Sequence, residues 1–174
     1  EENQRAANLI EEAAETTLMQ SQVSTLLSWI RRLPAEELQT RPALSIYYAW
    51  VLLWTGAPLE AIDAHMRLTA SQQSHTAQAL PLKAFLEIYS GNVHKAIKLS
   101  LMALDQLPEE DQYVRTFTTW LLRMAQMVEG GGRIDKGPVE EVLRISRWAG
   151  NVTLSVVTTC NWAEILLRQG QLRE

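Results

Sequence analysis

An apolar helical segment followed by a glycine recurs four times along the chain. The helix that follows Gly56 contains Ala61-Ile62, and the helix that follows Gly91 contains Ala96-Ile97. Each alanine stands five residues after its glycine. The glycines are spaced by 35, 39 and 40 residues, close to the period of about 34 residues shown by helix-turn-helix repeats. Because one such unit cannot bury its apolar side alone, this feature predicts an all-α protein built from stacked helix pairs. The four glycines are Gly56, Gly91, Gly130 and Gly170.

Helix start and stop signals predict eight or nine helices. Residues 42–55 begin with a proline, end before a glycine and are apolar nearly all round, as an inner helix with several neighbours would be. Between residues 91 and 108 apolar side chains recur at steps of three and four, which indicates an amphipathic helix. Pro81 predicts that the helix at 77–90 either kinks or begins there. Further helices are predicted at 5–17, 21–33, 112–129, 137–149 and 152–169, with one more opening at Pro58.

The predicted helices divide into a leading segment and an array of repeats. Residues 1–40 are expected to form N-terminal helices that lead into the array. Residues 152–159 are rich in β-branched side chains, which favour a strand by propensity alone, but the repeat pattern favours a helix. Since the chain begins without methionine and stops where a following helix should start, it is expected to be a fragment of a larger protein. The array comprises approximate repeats at 41–74, 75–110 and 111–150 and an incomplete one at 151–174.

Composition and charge exclude several classes of function. The formal net charge is −4, whereas nucleic-acid binding rests on clustered Lys and Arg, so this chain is predicted not to contact nucleic acid directly. No stretch approaches the ~20 apolar residues of a membrane helix, and no charged-then-apolar leader opens the chain. A single cysteine, Cys160, excludes an internal disulfide. These observations predict a soluble protein of the cytoplasm.

No pattern of residues suggests catalysis or metal binding. Acid–base and nucleophilic chemistry need titratable groups that converge, and the sequence offers no nucleophile with a nearby base. Cys160 lies in a predicted inner helix and is interpreted as a small packed residue rather than a nucleophile. His65, His75 and His94 are too far apart in sequence for a local metal motif and are expected at the surface. The chain is therefore predicted not to be an enzyme and to hold no metal or cofactor.

Several motifs give the array a more specific character. Residues 91–108 place Gly, Ala, Ala and Pro at the spacing of the second helix of a tetratricopeptide repeat (TPR). Leu-Leu-Ser-Trp-Ile-Arg-Arg-Leu-Pro at 26–34 precedes Arg-Pro-Ala-Leu at 41–44 and Ala-Trp-Val-Leu-Leu-Trp-Thr-Gly at 49–56. This layout resembles the start of the TPR-like sensor domain in MalT-type, LuxR-family, ATP-dependent bacterial transcription regulators. The likeness continues at 84–91 and 148–151, so that it covers nearly the whole chain.

The resemblance implies both a fold and a function. The helix pairs would wind into a right-handed superhelix (α-solenoid) that senses an inducer, between an N-terminal nucleotide-binding module and a C-terminal helix-turn-helix. ATP would bind only in the upstream module, since residues 130–133 read Gly-Gly-Gly-Arg and lack the Lys-Ser/Thr of a phosphate loop. The Gly-rich insertion from Gly130 to Gly137 is interpreted as a flexible loop, with a ligand or partner loop as the alternative.

Large side chains on the predicted inner helices mark the candidate site. In TPR-like arrays these positions lean toward a concave groove, where apolar surface with a few polar groups suits a ligand or a peptide. Each tryptophan also fits an ordinary place in the core. Two hypotheses follow: the groove senses a small-molecule inducer, or it is an interaction scaffold that holds a peptide, a partner domain or another protomer. The candidate groove residues are Trp50, Trp54, Phe85, Tyr89, Trp120, Met124, Glu164 and Arg168.

Overall fold

The chain folds into helices joined by short loops. The computed structural model describes residues 2–69, 76–130, 139–140, 142–144, 147 and 152–168, and every regular element within these ranges is helical. The prediction of an all-α protein is confirmed. The helices are α1 (Glu2–Met19), α2 (Val23–Ile30), α3 (Ala35–Thr40), α4 (Pro42–Trp54), α5 (Leu59–Thr69), α6 (Thr76–Tyr89), α7 (Val93–Gln106), α8 (Gln112–Glu129) and α9 (Val152–Arg168).

Helix ends agree with the sequence signals except at two prolines. Pro81 is the sixth residue of α6, which begins at Thr76, so the alternative in which a helix starts at Pro81 is wrong. Pro81 is buried, as are its chain neighbours Leu80 and Leu82, and this burial offsets the backbone hydrogen bond that proline cannot donate. Pro34 precedes the short helix α3, which was not predicted as a separate element.

Arg41 ties α3 to the first helix. Its Nε donates to the Glu37 carboxylate at 2.8 Å and its Nη1 donates to the Asn8 side-chain oxygen at 2.6 Å. Since α3 has no buried residue of its own, these charge-assisted contacts fix its position against α1.

Three loops between paired helices share one backbone geometry. Ser21, Gly56 and Gly91 have positive φ values of 60°, 70° and 78° and lie 35 residues apart. In all three loops the backbone N–H of the residue after the positive-φ position donates to the carbonyl oxygen of the residue five positions before it, at 2.8 to 3.0 Å. This is the hydrogen bond of a Schellman motif. In the loop between α1 and α2, Ser21 has the conformation that glycine has in the next two loops. The repeat therefore begins with α1 and α2, ahead of residue 41. Gly130 has a φ of −74°, and Gly131 and Gly170 lie outside the described residues.

The second helix of each pair packs against the first helix of the next pair. α2 contacts α4, α5 contacts α6 and α7 contacts α8. The first helices α4, α6 and α8 also contact one another in succession, and α1 contacts α4 and reaches across to α8 and α9. The first helices of the pairs therefore meet in the interior; we call α1, α4, α6, α8 and α9 the inner helices.

A small side chain recurs at the same position of three inner helices. Ala14, Ala49 and Ala84 lie 35 residues apart, and none of them is exposed to solvent. Alanine leaves room for neighbouring helix axes to approach each other closely. The equal burial of Ala14 is a second observation that places α1 in the repeat.

Candidate functional site

The inner helices bring four of the predicted aromatic residues into one cluster. Phe117 lies at its centre, with ring centroids 4.6 Å from Trp50, 5.3 Å from Trp120, 5.6 Å from Trp54 and 6.3 Å from Phe85. Both the Trp50 and the Trp54 rings meet Phe117 edge-to-face, an arrangement that aromatic pairs favour. We call these five residues the aromatic cluster.

The repeat explains why these side chains converge. Trp50 and Phe85 are 35 residues apart and hold the same position in α4 and α6. Trp54 and Tyr89 follow four residues later, so they extend the same helix face by one turn. The Tyr89 ring lies 4.7 Å from the Phe85 ring, which continues the cluster toward the ends of α4 and α6.

Burial differs strongly among the predicted site residues. Trp50 is 0% exposed and Trp120 is 8% exposed, whereas Tyr89 is 67% exposed. The cluster is therefore closed around Trp50 and Trp120 and reaches solvent at Tyr89. The remaining predicted residues are half-buried (Trp54, Phe85, Met124) or have side chains outside the described part of the structure (Glu164, Arg168).

Two aromatic residues of α8 were missed by the sequence analysis. Phe117 is central to the cluster, and the Tyr113 ring lies 5.5 Å from the Trp50 ring. The reason is the alignment on Gly130, which places Met124 opposite Phe85. Counting the 35 residues that separate the first three loops leads from Phe85 to Trp120 instead. Phe117 and Tyr113 precede Trp120 by three and seven residues on the same helix face, and this spacing is the signal in the sequence that marks them.

Indole N–H groups in the cluster differ in their hydrogen bonding. The Trp54 indole N–H donates to the Tyr113 hydroxyl oxygen. The indole N–H groups of Trp50 and Trp120 are buried and have no acceptor among the described residues, and the buried Thr158 hydroxyl on α9 has no partner there either. Leaving one such group unsatisfied costs about 1–3 kcal/mol, and native proteins contain few of them. Two such donors in one cluster are consistent with a function that uses them.

Acidic groups border the cluster where α1 meets α8. The Glu15 carboxylate accepts a hydrogen bond from the Tyr113 backbone N–H at 3.4 Å, and Gln78 donates to the buried Asp111 carboxylate at 2.7 Å. Burial raises the pKa of Glu15, the Tyr113 amide opposes this and the nearby Asp111 adds to it. Burial also raises the pKa of Tyr47 to about 12, with a further contribution from the same carboxylates. The cluster is thus apolar at its centre and acidic at its α1 edge.

The histidines and the cysteine do not form a reactive site in the described residues. His65 is half-buried against the Tyr48 ring, 4.6 Å away, so it lies only partly at the surface. Its Nδ1 is 3.4 Å from the hydroxyl of Ser45, which is fully buried and out of reach of a substrate. His94 lies at the surface as predicted and pairs with Glu129. His75 is outside the described residues.

The one cysteine, Cys160, lies in a different environment from the one predicted. It is exposed on α9 and is not the packed residue that the sequence predicted, because α9 contacts α1 and α8 with another face. In the described ranges, no three His, Cys, Asp or Glu residues come together as a metal site would require. None of the described helices is long and apolar enough to span a membrane.

Comparison with known proteins yields no relative. No model of a known protein family matches the chain, and neither a curated protein nor a solved structure gives a match.

Proposed function

We propose that this chain is the sensor and oligomerisation repeat domain of a MalT-type bacterial transcription regulator and that it binds an inducer at the aromatic cluster. The observation that carries the proposal is the pair of buried indole N–H donors without acceptors, on Trp50 and Trp120. Aromatic faces with a few converging donors suit a small molecule that combines apolar surface with oxygen acceptors, such as a sugar or a phenol.

Binding at the aromatic cluster requires a change in the packing of the inner helices. Trp50 is closed off from solvent, and α1 reaches across to α8 and α9. A ligand that enters between these helices binds the opened arrangement more tightly and shifts the population toward it. The opened arrangement is then the signal that the regulator's other modules respond to.

The wider array is proposed to be a TPR-like right-handed superhelix. The order in which α2 packs on α4, α5 on α6 and α7 on α8 supports this, as does the 35-residue spacing of the loops. In a regulator of this type the domain works in the cytoplasm between a nucleotide-binding module and a helix-turn-helix. It then needs no catalytic activity, metal or cofactor of its own and no direct contact with nucleic acid.

An interaction scaffold without a small-molecule ligand is the second candidate. It is favoured by α9, where Val152, Val156 and Leu167 are 52%, 56% and 60% exposed. Their spacing places them on one side of the helix, and an exposed apolar stripe of this kind is typical of a protein contact. In this alternative the stripe binds a partner or another protomer.

A ligand screen separates the two candidates. Sugars, phenols and other metabolites are tested against the whole chain by thermal shift, and stabilising compounds are followed by calorimetry. Trp120→Phe removes one unpaired indole N–H while keeping an aromatic ring, and Trp162→Phe on α9, at a half-buried position outside the cluster, is the matched control. The sensor proposal predicts a compound that stabilises the wild type and Trp162→Phe but binds Trp120→Phe much more weakly.

The scaffold alternative predicts a different result. No metabolite then stabilises the chain, and sedimentation shows association that increases with protein concentration. Val156→Glu on the exposed stripe abolishes that association, since it places a charge in an apolar contact. This combination of results would overturn the sensor proposal.

A further inference from the structure

A pocket apart from the aromatic cluster lies between the N-terminal half of α1 and the end of α2. Its volume is about 540 Å³, within the range of roughly 300–1,000 Å³ that is usual for small-molecule sites. Its apolar walls come from Leu9 and Ile10 on α1, from Trp29 in the last turn of α2 and from Leu33 in the loop that follows it. The pocket therefore has the size and the lining to hold one small molecule.

The pocket exists because the first helix pair has a small residue where the second has an aromatic ring. Ala13 lines the pocket, and the residue 35 positions later is Tyr48. The Tyr48 ring packs against His65 with the ring centroids 4.6 Å apart. The space that a tyrosine ring fills in the second helix pair is thus open in the first.

The outer face of α1 indicates that the occupant is compact. Leu9 is 58% exposed, whereas Leu44 and Ala79, one and two repeats later, are 0% and 1% exposed. Glu12 and Thr16 continue the face of Leu9 by one and two turns and are exposed. These two side chains are polar, so the apolar part of this face is restricted to the pocket itself.

A cation at the pocket defines the charge of the occupant. Arg32 lines the pocket together with the polar Asn3. Within the part of the chain that the structure describes, the Arg32 guanidinium forms no ion pair or side-chain hydrogen bond. A guanidinium offers two parallel N–H donors that match the two oxygens of a carboxylate. The pocket thus combines apolar walls, an indole ring and one available cation.

We infer that this pocket binds a small aromatic monocarboxylate. The ring of the ligand takes the place that Tyr48 takes in the next repeat and contacts Leu9 and Trp29, and its carboxylate pairs with Arg32. This site goes beyond the inducer site of the aromatic cluster, because the two share no residue. Either can fail without the other.

The charge requirement is tested with a matched pair of ligands. The whole chain is titrated calorimetrically with 3-phenylpropionate and with its neutral amide, 3-phenylpropionamide. The carboxylate is expected to bind about tenfold more tightly than the amide, because it alone makes the charge-assisted pair. Arg32→Gln should remove that difference, and this exposed position tolerates the change without loss of the fold.

The shape requirement is tested with two tyrosine substitutions. Ala13→Tyr should fill the pocket as Tyr48 does and abolish binding of 3-phenylpropionate. Thr16→Tyr adds the same ring to the exposed face of α1 and should leave binding unchanged, with helix content and melting of both variants measured alongside.

Several results would overturn the assignment. They are the absence of binding by 3-phenylpropionate, equal binding of the carboxylate and the amide, and retained binding in a folded Ala13→Tyr variant. Self-association of the chain that Leu9→Glu abolishes would assign this face to a second copy of the protein instead.

Discussion

The first and second helix pairs have the same backbone plan but different side chains at three matching positions. Both turn through a residue of positive φ, Ser21 or Gly56, and both bury an alanine completely, Ala14 or Ala49. Where the second pair has Tyr48, Trp50 and Trp54, however, the first has Ala13, Glu15 and Met19. Loop geometry and a small packing residue therefore define the repeat, and a few other positions decide whether a pair offers a pocket, an acidic edge or an aromatic cluster.

The largest expected difference in stability is between a substitution in the aromatic cluster and one on the outer face of α1. Phe117 is buried among four other aromatic rings, and Phe117→Ala should lower the free energy of unfolding by about 3–5 kcal/mol through lost contacts and a cavity. The control Leu9→Ala removes an exposed side chain and should change it by less than about 0.5 kcal/mol. Urea unfolding of the two variants measures the contrast. Similar losses for both would contradict the separate roles given to the two regions.

The matching alanines test whether α1 packs as a member of the repeat. Ala14→Leu and Ala49→Leu both place a larger side chain where no solvent-accessible space remains, and each should cost about 1–3 kcal/mol. The measurement is again urea unfolding, with Ala64→Leu at an exposed position of α5 as the control. If Ala14→Leu behaves like that control, α1 does not pack as α4 does.

Substitutions at Gly56 and Ser21, in equivalent loops, are expected to change the stability in opposite directions. Nothing lies within 4 Å of a Cβ added at Gly56, so Gly56→Ala changes only the backbone energy and should destabilise by about 1 kcal/mol. Ser21→Gly at the equivalent loop relieves the same backbone strain and should raise stability. Thermal unfolding of the two variants checks the signs. A stable Gly56→Ala variant would show that the turn is not needed.

The smallest expected effect is a pH-dependent change in stability caused by Glu15, at the acidic edge of the first helix pair. Burial raises the pKa of Glu15 above its ordinary value of 4.5, so this carboxyl group favours the fold while it is protonated. That contribution is lost as the pH rises through the raised pKa. Glu15→Gln should therefore raise the melting temperature relative to the wild type more at about pH 7 than at about pH 4. The exposed Glu12→Gln is the matched control, and a larger gain at the lower pH would contradict the assignment.

Local signals allowed most helices to be predicted from the sequence. Residues 42–55 and 112–129 were predicted as helices, and the structure has Pro42–Trp54 and Gln112–Glu129. These boundaries depend on proline and glycine, whose backbone preferences act within one turn. The β-branched run at 152–159 also forms a helix, because its place in the repeat overrides its propensity.

The missed features depend on contacts between distant segments. The first helix pair was not recognised as a repeat because Ser21 adopts a conformation that sequence rules assign to glycine. The aromatic cluster is closed around Trp50 because α1 contacts α8 and α9. No local sequence pattern encodes these contacts. The pocket at Ala13 is visible only when the first pair is compared with the second, since its cause is a missing ring.

In the proposed sensor, the unpaired indole N–H groups of Trp50 and Trp120 bind the inducer. The most direct test follows the indole N–H signals of all six tryptophans by ¹⁵N NMR during titration with the metabolite that gives the largest thermal shift. Single Trp→Phe variants assign the signals. We predict that the Trp50 and Trp120 signals move downfield as their N–H groups acquire an acceptor, while that of Trp162 on α9 stays in place. A stabilising metabolite that leaves both signals unmoved would contradict the account.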